Sequence, residues 1–503
     1  MNQEHPGCQD VRVRRLGIDT HSEMVVFLHR NSPICRSEGF AAHNRVLLRA
    51  NGRHVIATLY QVSDLVSVDE AGLSESAWQQ LALAEGGMIS VSHPEPLDSL
   101  SLVRSRIYGH RLSENSLHAI VRDIVDGKYS DIHTTSFVTA CATHPLDRGE
   151  VLGLTRAMVD VGERLTWDSD IVVDKHSVGG LPGNRTTPIV VAICAALGLT
   201  MPKTSSRAIT SPSGTADAME TLAPVELSTK AIHRVVEQEG GCVVWGGAVK
   251  LSPADDILIR VERALDLDTE GQMIASVLSK KIAAGATHLV LDLPIGPTAK
   301  VRGSKAAEEL SKGLLAVADA FGIQAKVVTG SGLQPIGRGI GPSLEARDVL
   351  AVLQGKPEAP ADLADRAVEL AGALLELAGT APSGGGVSLA KGVLKDGRAW
   401  AKFQRICEAQ GGMRVPPVSR HRHDLVAPGS GMLGSIDNRK IAKLAKLAGA
   451  PEDKAAGIEM HVRLKEAVTA GQTLCTVHAE SSGELAYALA YASATADIFG
   501  IAA

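Results

Sequence analysis

The chain has 503 residues, 45% of them hydrophobic and 21% charged, with 50 glycines; this composition is globular, and the length suits roughly three or four domains rather than one core. Aromatics make up only 3% and the net charge is −5, so neither a stacked-ring platform nor a basic footprint for nucleic acid is expected, and partners should be small molecules. The polar start "MNQEHPGCQDVRVRRLGID" lacks the apolar stretch of a signal peptide, the apolar run 189–201 is too short to span a bilayer, and the seven scattered cysteines never form a CxxC pair; the expectation is a cytoplasmic protein with reduced thiols, no zinc site and no membrane partner.

The first segment reads as β-rich. Apolar runs at 46–50 and 54–59 flank Asn51-Gly52, a strong hairpin signal, and Ser74 can cap a short helix through Trp78 and Leu81. No catalytic constellation lies here, so a structural or oligomerising role is expected. From about residue 90 the period becomes helical. "LSENSLHAIVRDIVDGKYSDIHTTSFVTACA" reads as two helices, one capped by Ser113 and stopped at Gly127, the next opened by Ser130, and Asp147 with Glu150 has capping-box spacing for a third.

An α/β pattern follows. A β-branched run at 171–173 leads into a loop at 174–187 and then a helix with Thr187 at the cap and Pro188 at its first position. Strand, glycine loop and helix N-terminus suit an anion, because unpaired backbone N–H groups and the helix dipole converge there. A second strand at 201–204 feeds the stretch "SSRAITSPSGTAD", and a helix starts after Gly214 and Thr215. Such serine, proline and glycine density is ordinary turn chemistry by itself. Two successive strand-to-helix turns in a parallel sheet, however, share one rim, where ligands bind. Ser205, Ser206, Thr210 and Thr215 should therefore face Lys175, His176 and Ser177 in a cradle for inorganic phosphate that contains no metal.

These residues carry a resemblance. "DKHSVGG" at 174–180, "SSRAITSPSGTAD" at 205–217, "IASVLSKK" at 274–281 and "QPIGRGIG" at 334–341 resemble, in order and at similar spacing, the thymidine phosphorylase and AMP phosphorylase family over about residues 90–500. The resemblance implies phosphorolysis: phosphate attacks the anomeric carbon of a nucleoside or nucleotide and releases the base and an α-pentose 1-phosphate. By position it implies that Lys175, Ser177, Thr187, Ser205 and Thr215 hold phosphate, that His176 lies beside the leaving base, and that Ser276 and Lys280 contact its edge. In the AMP phosphorylases a carboxylate matching Asp268 donates the proton, and Gly180, Ser206, Arg207, Ala208, Ile209, Thr210, Ser211, Ser276 and Lys300 line the nucleotide site. Asp268 can equally be a solvated loop carboxylate, and Arg207 can pin its own loop through backbone carbonyls.

The chain departs from ordinary thymidine phosphorylases. Ser206 replaces their glycine, Ser211-Pro212-Ser213-Gly214 replaces their His-Thr-Gly-Gly, and only Arg260 and Arg263 flank the place of their pyrimidine-binding arginine. The extra N-terminal domain points the same way, toward the AMP phosphorylase branch. The substrate readings are a pyrimidine nucleoside of the thymidine type or a nucleoside 5′-monophosphate; a Mg²⁺-dependent phosphoribosyltransferase and a non-catalytic binder are the competing classes.

The expected architecture is α/β multidomain: a β-rich domain at 1–86, a helical domain at 87–165 with 253–283, an α/β domain with a mostly parallel sheet at 166–252 with 284–410, and an α+β domain at 411–503. No cofactor beyond the co-substrate phosphate is expected, and the family implies a homodimer or larger homo-oligomer. "GRGIG" at 337–341 reads as a structural turn, because the strand, helix and distant acid of a dinucleotide site are missing. "SRHRHD" at 419–424 reads as exposed rather than metal-binding, and "RKIAKLAKLAG" at 439–449 as a solvated helix face.

Overall fold

The structure, a computed structural model, describes residues 9–20, 23–178, 180–208, 211–265, 267 and 269–502. It divides into two compact units between His144 and Pro145.

The first unit opens with β1 (Gln9–Ile18), β2 (Val25–His29), α1 (Pro33–Ser37), β3 (Arg45–Ala50), β4 (Arg53–Val62), β5 (Glu70–Ser74), α2 (Glu75–Gln80) and β6 (Met88–Ser92). The strands close into a barrel in the order β1-β5-β2-β4-β3-β6, which leaves no edge open for pairing. Exchanging the first three strands with the last three leaves the pairing unchanged: β1 runs parallel to β5 as β4 does to β2, and β1–β6 and β3–β4 are both antiparallel. The barrel is thus two interlocked halves, each two strands, a short helix and a strand. Asn51 and Gly52 both take positive φ, 53° and 72°, between β3 and β4, as a two-residue hairpin turn requires. Ser74 caps α2 by accepting from the Ala77 N–H. Three helices complete the unit: α3 (Ser99–Ile107), α4 (Glu114–Val125), capped by Ser113, and α5 (Asp131–Thr143), capped by Ser130.

The second unit begins with α6 (Arg148–Asp160), where Asp147 and Glu150 cap each other's backbone N–H groups at 2.9 and 3.0 Å. Next come β7 (Val173–Ser177), α7 (Thr187–Ala196), β8 (Met201–Ser205), α8 (Thr215–Glu220), α9 (Thr229–Glu239) and β9 (Gly241–Trp245). After them follow α10 (Pro253–Leu265), α11 (Glu270–Ala283), β10 (His288–Ile295), α12 (Ser304–Ala320), β11 (Gln324–Ser331), β12 (Gly339–Ile340), α13 (Pro342–Leu353) and α14 (Ala361–Leu377). The order β11-β10-β7 joins β8-β9 through a parallel bridge between Val172 and Thr200, so five parallel strands stand side by side. In chain order the strands move outward from β7 to β9, return to the far side of β7 with β10, and end on β11.

Two expectations shift here. The first strand does not stop at residue 173: it runs from Val173 to Ser177 and carries Lys175, His176 and Ser177 within it, because pairing with β10 continues to Ser177↔Asp292. The α7 helix has Thr186 rather than Thr187 at its N-cap. Alternation then sorts the strand. Lys175 and Ser177 share a face with Val290 and Asp292, toward α7 and α14, while Asp174 and His176 share a face with Leu289 and Leu291, whose core includes Ile274, Leu278 and Leu314. The run at 189–195 is fully inside, packing α7 into the largest core with α14.

The "GRGIG" turn ties the sheet to the C-terminal part. Ile336 N donates to Pro182 O at 3.1 Å, Arg338 N and Gly339 N donate to Asp348 Oδ2 at 2.6 and 2.7 Å, and β12 pairs with the strand Gly457–Met460. That strand belongs to an antiparallel sheet with Thr473–Ala479 and His421–Val426, and the helices Asn438–Leu447 and Ser482–Ala494 accompany it. His423 is exposed on the strand, and among the described residues no cluster of three metal-ligating side chains occurs. No described helix is long and apolar enough to cross a membrane.

Gly183 takes φ +73°, and a Cβ on it would lie 2.1 Å from Ile336 O, so left-handed backbone and close approach both demand glycine. Gly183→Ala should therefore lower stability by about 1–3 kcal/mol through overpacking, measured as a lower unfolding midpoint, and should lower activity through the loop it displaces.

Candidate active site

The parallel strand order reverses between β7 and β10, and in open α/β sheets the crevice outside the carboxyl ends at such a reversal receives ligands. Ser177 and Asp292 end the paired stretch there.

Lys175 is 1% exposed. Its Nζ donates to Ser177 Oγ at 2.5 Å and Thr186 Oγ1 at 2.8 Å and lies 3.7 Å from Asp292 Oδ2. Asp292, wholly buried, accepts from Ser177 Oγ at 2.6 Å and Asn184 Nδ2 at 3.0 Å, and its other oxygen pairs with the Arg366 guanidinium of α14. Burial opposes the charge of Asp292, but Lys175 and Arg366 outweigh it and hold the carboxyl below its usual range. For Lys175 burial wins over Asp292, with Arg185 and Arg366 adding to it, and its pKa falls to about 8. A cation so placed is still charged near neutral pH. Thr187, one residue past the Thr186 bonded to that lysine, opens α7 and is buried.

The second loop is tied to the first by Arg185. Its Nη1 donates to Thr215 Oγ1 at 2.6 Å, Nη2 to Ser213 O at 2.9 Å, and Nε pairs with the buried Glu345 at 2.6 Å. Ser205 ends β8 with its hydroxyl buried and without a partner among the described residues. A buried hydroxyl at this rim can donate to an anion. Ser206 and Gly180 are exposed, and Ser211 Oγ turns back to Ser213 O at 2.9 Å.

Arg207 is committed to its own loop, by carboxylates rather than by carbonyls. Its guanidinium lies 2.8 Å from Glu220, 3.3 Å from Asp217 and 2.8 Å from Glu226, over the Trp245 ring at 4.9 Å. Those hydrogen bonds, chiefly with Glu220, raise its pKa. Ala208 N donates to Asp217 Oδ2 at 2.6 Å. Ile209, Thr210 and Asp268 lie outside the described residues.

On the opposite face of β7, His176 is partly buried, and its pKa falls well below the usual imidazole range, first by burial and then through the charges of Lys281, Lys203, Lys280 and Lys175. The imidazole is neutral in this field. Ser276 and Lys280 stand one turn apart on α11, Lys280 Nζ lying 3.5 Å from Ser276 Oγ and 2.6 Å from Asp255 Oδ2. Burial disfavours the charge of Lys280, but Asp255 and Asp256 more than restore it. Lys300 is exposed in the short turn after β10, closed by the bridge from Ile295 to Val301.

The structure therefore brings Lys175 and Ser177 together with Thr186, the residue before Thr187, places Ser205 at the end of β8 and Thr215 at the start of α8, and sets His176, Ser276 and Lys280 on the α11 side. Asp292, Arg366, Arg185, Asn184 and Thr186 escaped the sequence reading. The sequence held a signal for two of them: Asp292 interrupts an apolar strand, and Arg366 falls in step with Leu363, Ala367 and Leu370 on an apolar helix face.

Three segments match known families. Residues 169–400 match the "Glycosyl transferase family, a/b domain", 100–162 its "helical bundle domain", and 432–499 the "Pyrimidine nucleoside phosphorylase C-terminal domain". A Sphingopyxis alaskensis chain named "Putative thymidine phosphorylase" is 62% identical over 490 residues, 97% of this chain and 95% of that one. A Chelativorans chain of the same name is 59% identical over 99% of this chain and 98% of its own. The solved anthranilate phosphoribosyltransferase of Thermus thermophilus shares the fold of part of the chain, with a TM-score of 0.50 and 23% identity, over 61% of this chain and 98% of that one. With relatives this similar along nearly the whole of both sequences, the chain belongs to the thymidine phosphorylase family of glycosyl transferases.

Proposed function

We propose that the protein is a pentosyltransferase that cleaves the N-glycosidic bond of a pyrimidine nucleoside with inorganic phosphate, giving free base and an α-pentose 1-phosphate. The observation that carries this reading is the buried cradle at the strand reversal: Lys175 backed by Asp292, the start of α7 and the buried Ser205 hydroxyl, which has no partner among the described residues. Phosphate is a weak nucleophile, and fixed donors orient it with little reorganisation. One phosphate oxygen forms the bond to the anomeric carbon as the bond from that carbon to nitrogen breaks, and the electron pair leaves with the base. No covalent enzyme intermediate and no cofactor is needed.

The departing nitrogen must be protonated or hydrogen-bonded. A neutral His176 can donate a hydrogen bond to the departing base, and Asp268, matched to the proton-donating carboxylate of the AMP phosphorylases by the resemblance of its surroundings, is the preferred proton donor. Asp268→Asn should then lower kcat with phosphate affinity nearly intact, and His176→Asn should be milder. Steady-state kinetics of both variants tests this; the reverse ranking would move the role to His176.

The exposed position of Lys300 on the ligand-bearing rim favours a second reading, a nucleoside 5′-monophosphate substrate. Of the two cations considered for a 5′-phosphate, Arg207 pairs with carboxylates and Lys300 is exposed on this rim. In that case Lys300→Ala should raise KM for AMP or another monophosphate tenfold or more, about 1.4 kcal/mol, and leave the matching nucleoside nearly unchanged. A panel of thymidine, uridine, cytidine, AMP, CMP and UMP with phosphate, read by chromatography of the bases, decides between the readings. A cytoplasmic homo-oligomer, dimeric or larger, is part of this proposal.

A further inference from the structure

On the His176 face of the sheet, three charged side chains meet out of solvent. Asp174 Oδ1 lies 3.1 Å from Lys203 Nζ, and Oδ2 lies 2.7 Å from Lys281 Nζ. Their exposures are 2%, 4% and 1%. Asp174 Oδ1 also accepts the Lys175 backbone N–H at 2.6 Å, and Lys203 Nζ donates to Thr204 O at 2.8 Å. The three come from three elements, β7, β8 and α11, and each stands beside a residue of the candidate site. Asp174 precedes Lys175, Lys203 lies two positions before Ser205, and Lys281 follows Lys280.

Lys281 sits in the last turn of α11, just before the chain leaves the helix for β10. At that crossing Leu165 N donates to Ala283 O at 2.8 Å and Trp167 Nε1 to Ala284 O at 2.8 Å. Fixing a helix at its end fixes the residues along it, here Lys280 and Ser276. An apolar trio could pack α11 as stably, since a buried ion pair gains little over well-packed hydrophobic side chains. Ions add a set distance and direction between strand and helix. Two lysines also share one carboxylate, so the arrangement holds only while all three stay in register; burial, with Lys203 adding and Asp174 opposing, lowers the pKa of Lys281.

We propose that Asp174, Lys203 and Lys281 form an ionic clamp that holds α11, with its base-side residues, at a fixed distance from the phosphate-side ends of β7 and β8. Lys281 is then a positioning residue for the transfer step. The inference rests on the phosphorolysis reading above, because it assigns the two sides of the clamp to the two reacting partners. A shift of about 1 Å between such partners is enough to cost about 10²-fold in rate.

The test compares wild type with Lys281→Met, Asp174→Asn and the double variant, measuring kcat for phosphorolysis and, on the free protein by calorimetry, Kd for inorganic phosphate. Lys281→Met should lower kcat at least tenfold with phosphate Kd changed less than threefold, because the phosphate donors stay on their own strands and loops. The double variant should lose no more than the worse single one. If Lys281→Met does not fold, Lys203→Met carries the same expectation from the other arm of the clamp. A kcat within threefold of wild type, a phosphate Kd weakened in parallel with kcat, or losses that multiply in the double variant would each overturn the clamp. A wild-type protein that releases no base with phosphate would overturn the functional reading itself, an outcome distinct from an active wild type with an indifferent clamp.

Discussion

Asp292→Ala should cost about 3–5 kcal/mol of stability, because it leaves Lys175 and Arg366 buried without their shared counter-charge. Against the 5–15 kcal/mol that holds a typical domain together, this is enough to unfold a large share of the molecules on warming. Ser177 and Asn184 would lose their acceptor as well, so surviving protein should show little turnover. Asp292→Asn keeps the shape and an acceptor and should be the milder variant in urea unfolding. Equal stability of Asp292→Ala and wild type would mean that this carboxylate is not the centre of the cradle.

Lys175→Ala should lower activity at least tenfold, about 1.4 kcal/mol of transition-state stabilisation, since it removes a full charge from the first-loop donors and charge-assisted bonds to phosphate are the strong ones. The effect should appear chiefly in kcat/KM for phosphate. The wild-type pH profile provides a second check. Burial lowers the Lys175 pKa to about 8, so the charged form is present below that pH and is lost as pH rises through it, well before an ordinary lysine would titrate. kcat/KM for phosphate should therefore fall on the alkaline side of about pH 8. The same shift makes the buried charge a stability cost that is full below pH 8 and relieved toward the usual lysine pKa, because the unfolded chain binds the proton more tightly there. Near-wild-type turnover of Lys175→Ala would remove the phosphate role from the end of β7.

Local signals read well in this chain because they act over a few residues. Asn51-Gly52, Ser113, Ser130 and the Asp147–Glu150 pair each sit at the turn or cap their chemistry requires. The two strand-to-helix loops were legible for the same reason. The end of β7 was not, since "DKHS" is polar and becomes a strand only through β10 and the carboxylate of Asp292, more than a hundred residues away. Arg207 shows a similar limit: its sequence position fits a ligand contact, and only the fold brings Glu220 and Glu226 to it. Lys281 did carry a trace, being in phase with Ile274 and Leu278 on the apolar stripe of α11, where a lysine needs a buried partner. The pseudo-symmetry of the barrel lies in strand pairing and left no mark in the reading of the sequence.

The most direct measurement incubates the purified protein with thymidine in EDTA, with and without inorganic phosphate, and follows thymine and the pentose 1-phosphate together. The account predicts thymine release that depends on phosphate, in equal amount to the sugar phosphate, and that is unaffected by EDTA. Release that requires added Mg²⁺, or no release from thymidine or from any nucleoside or nucleoside monophosphate tried in its place, would contradict it.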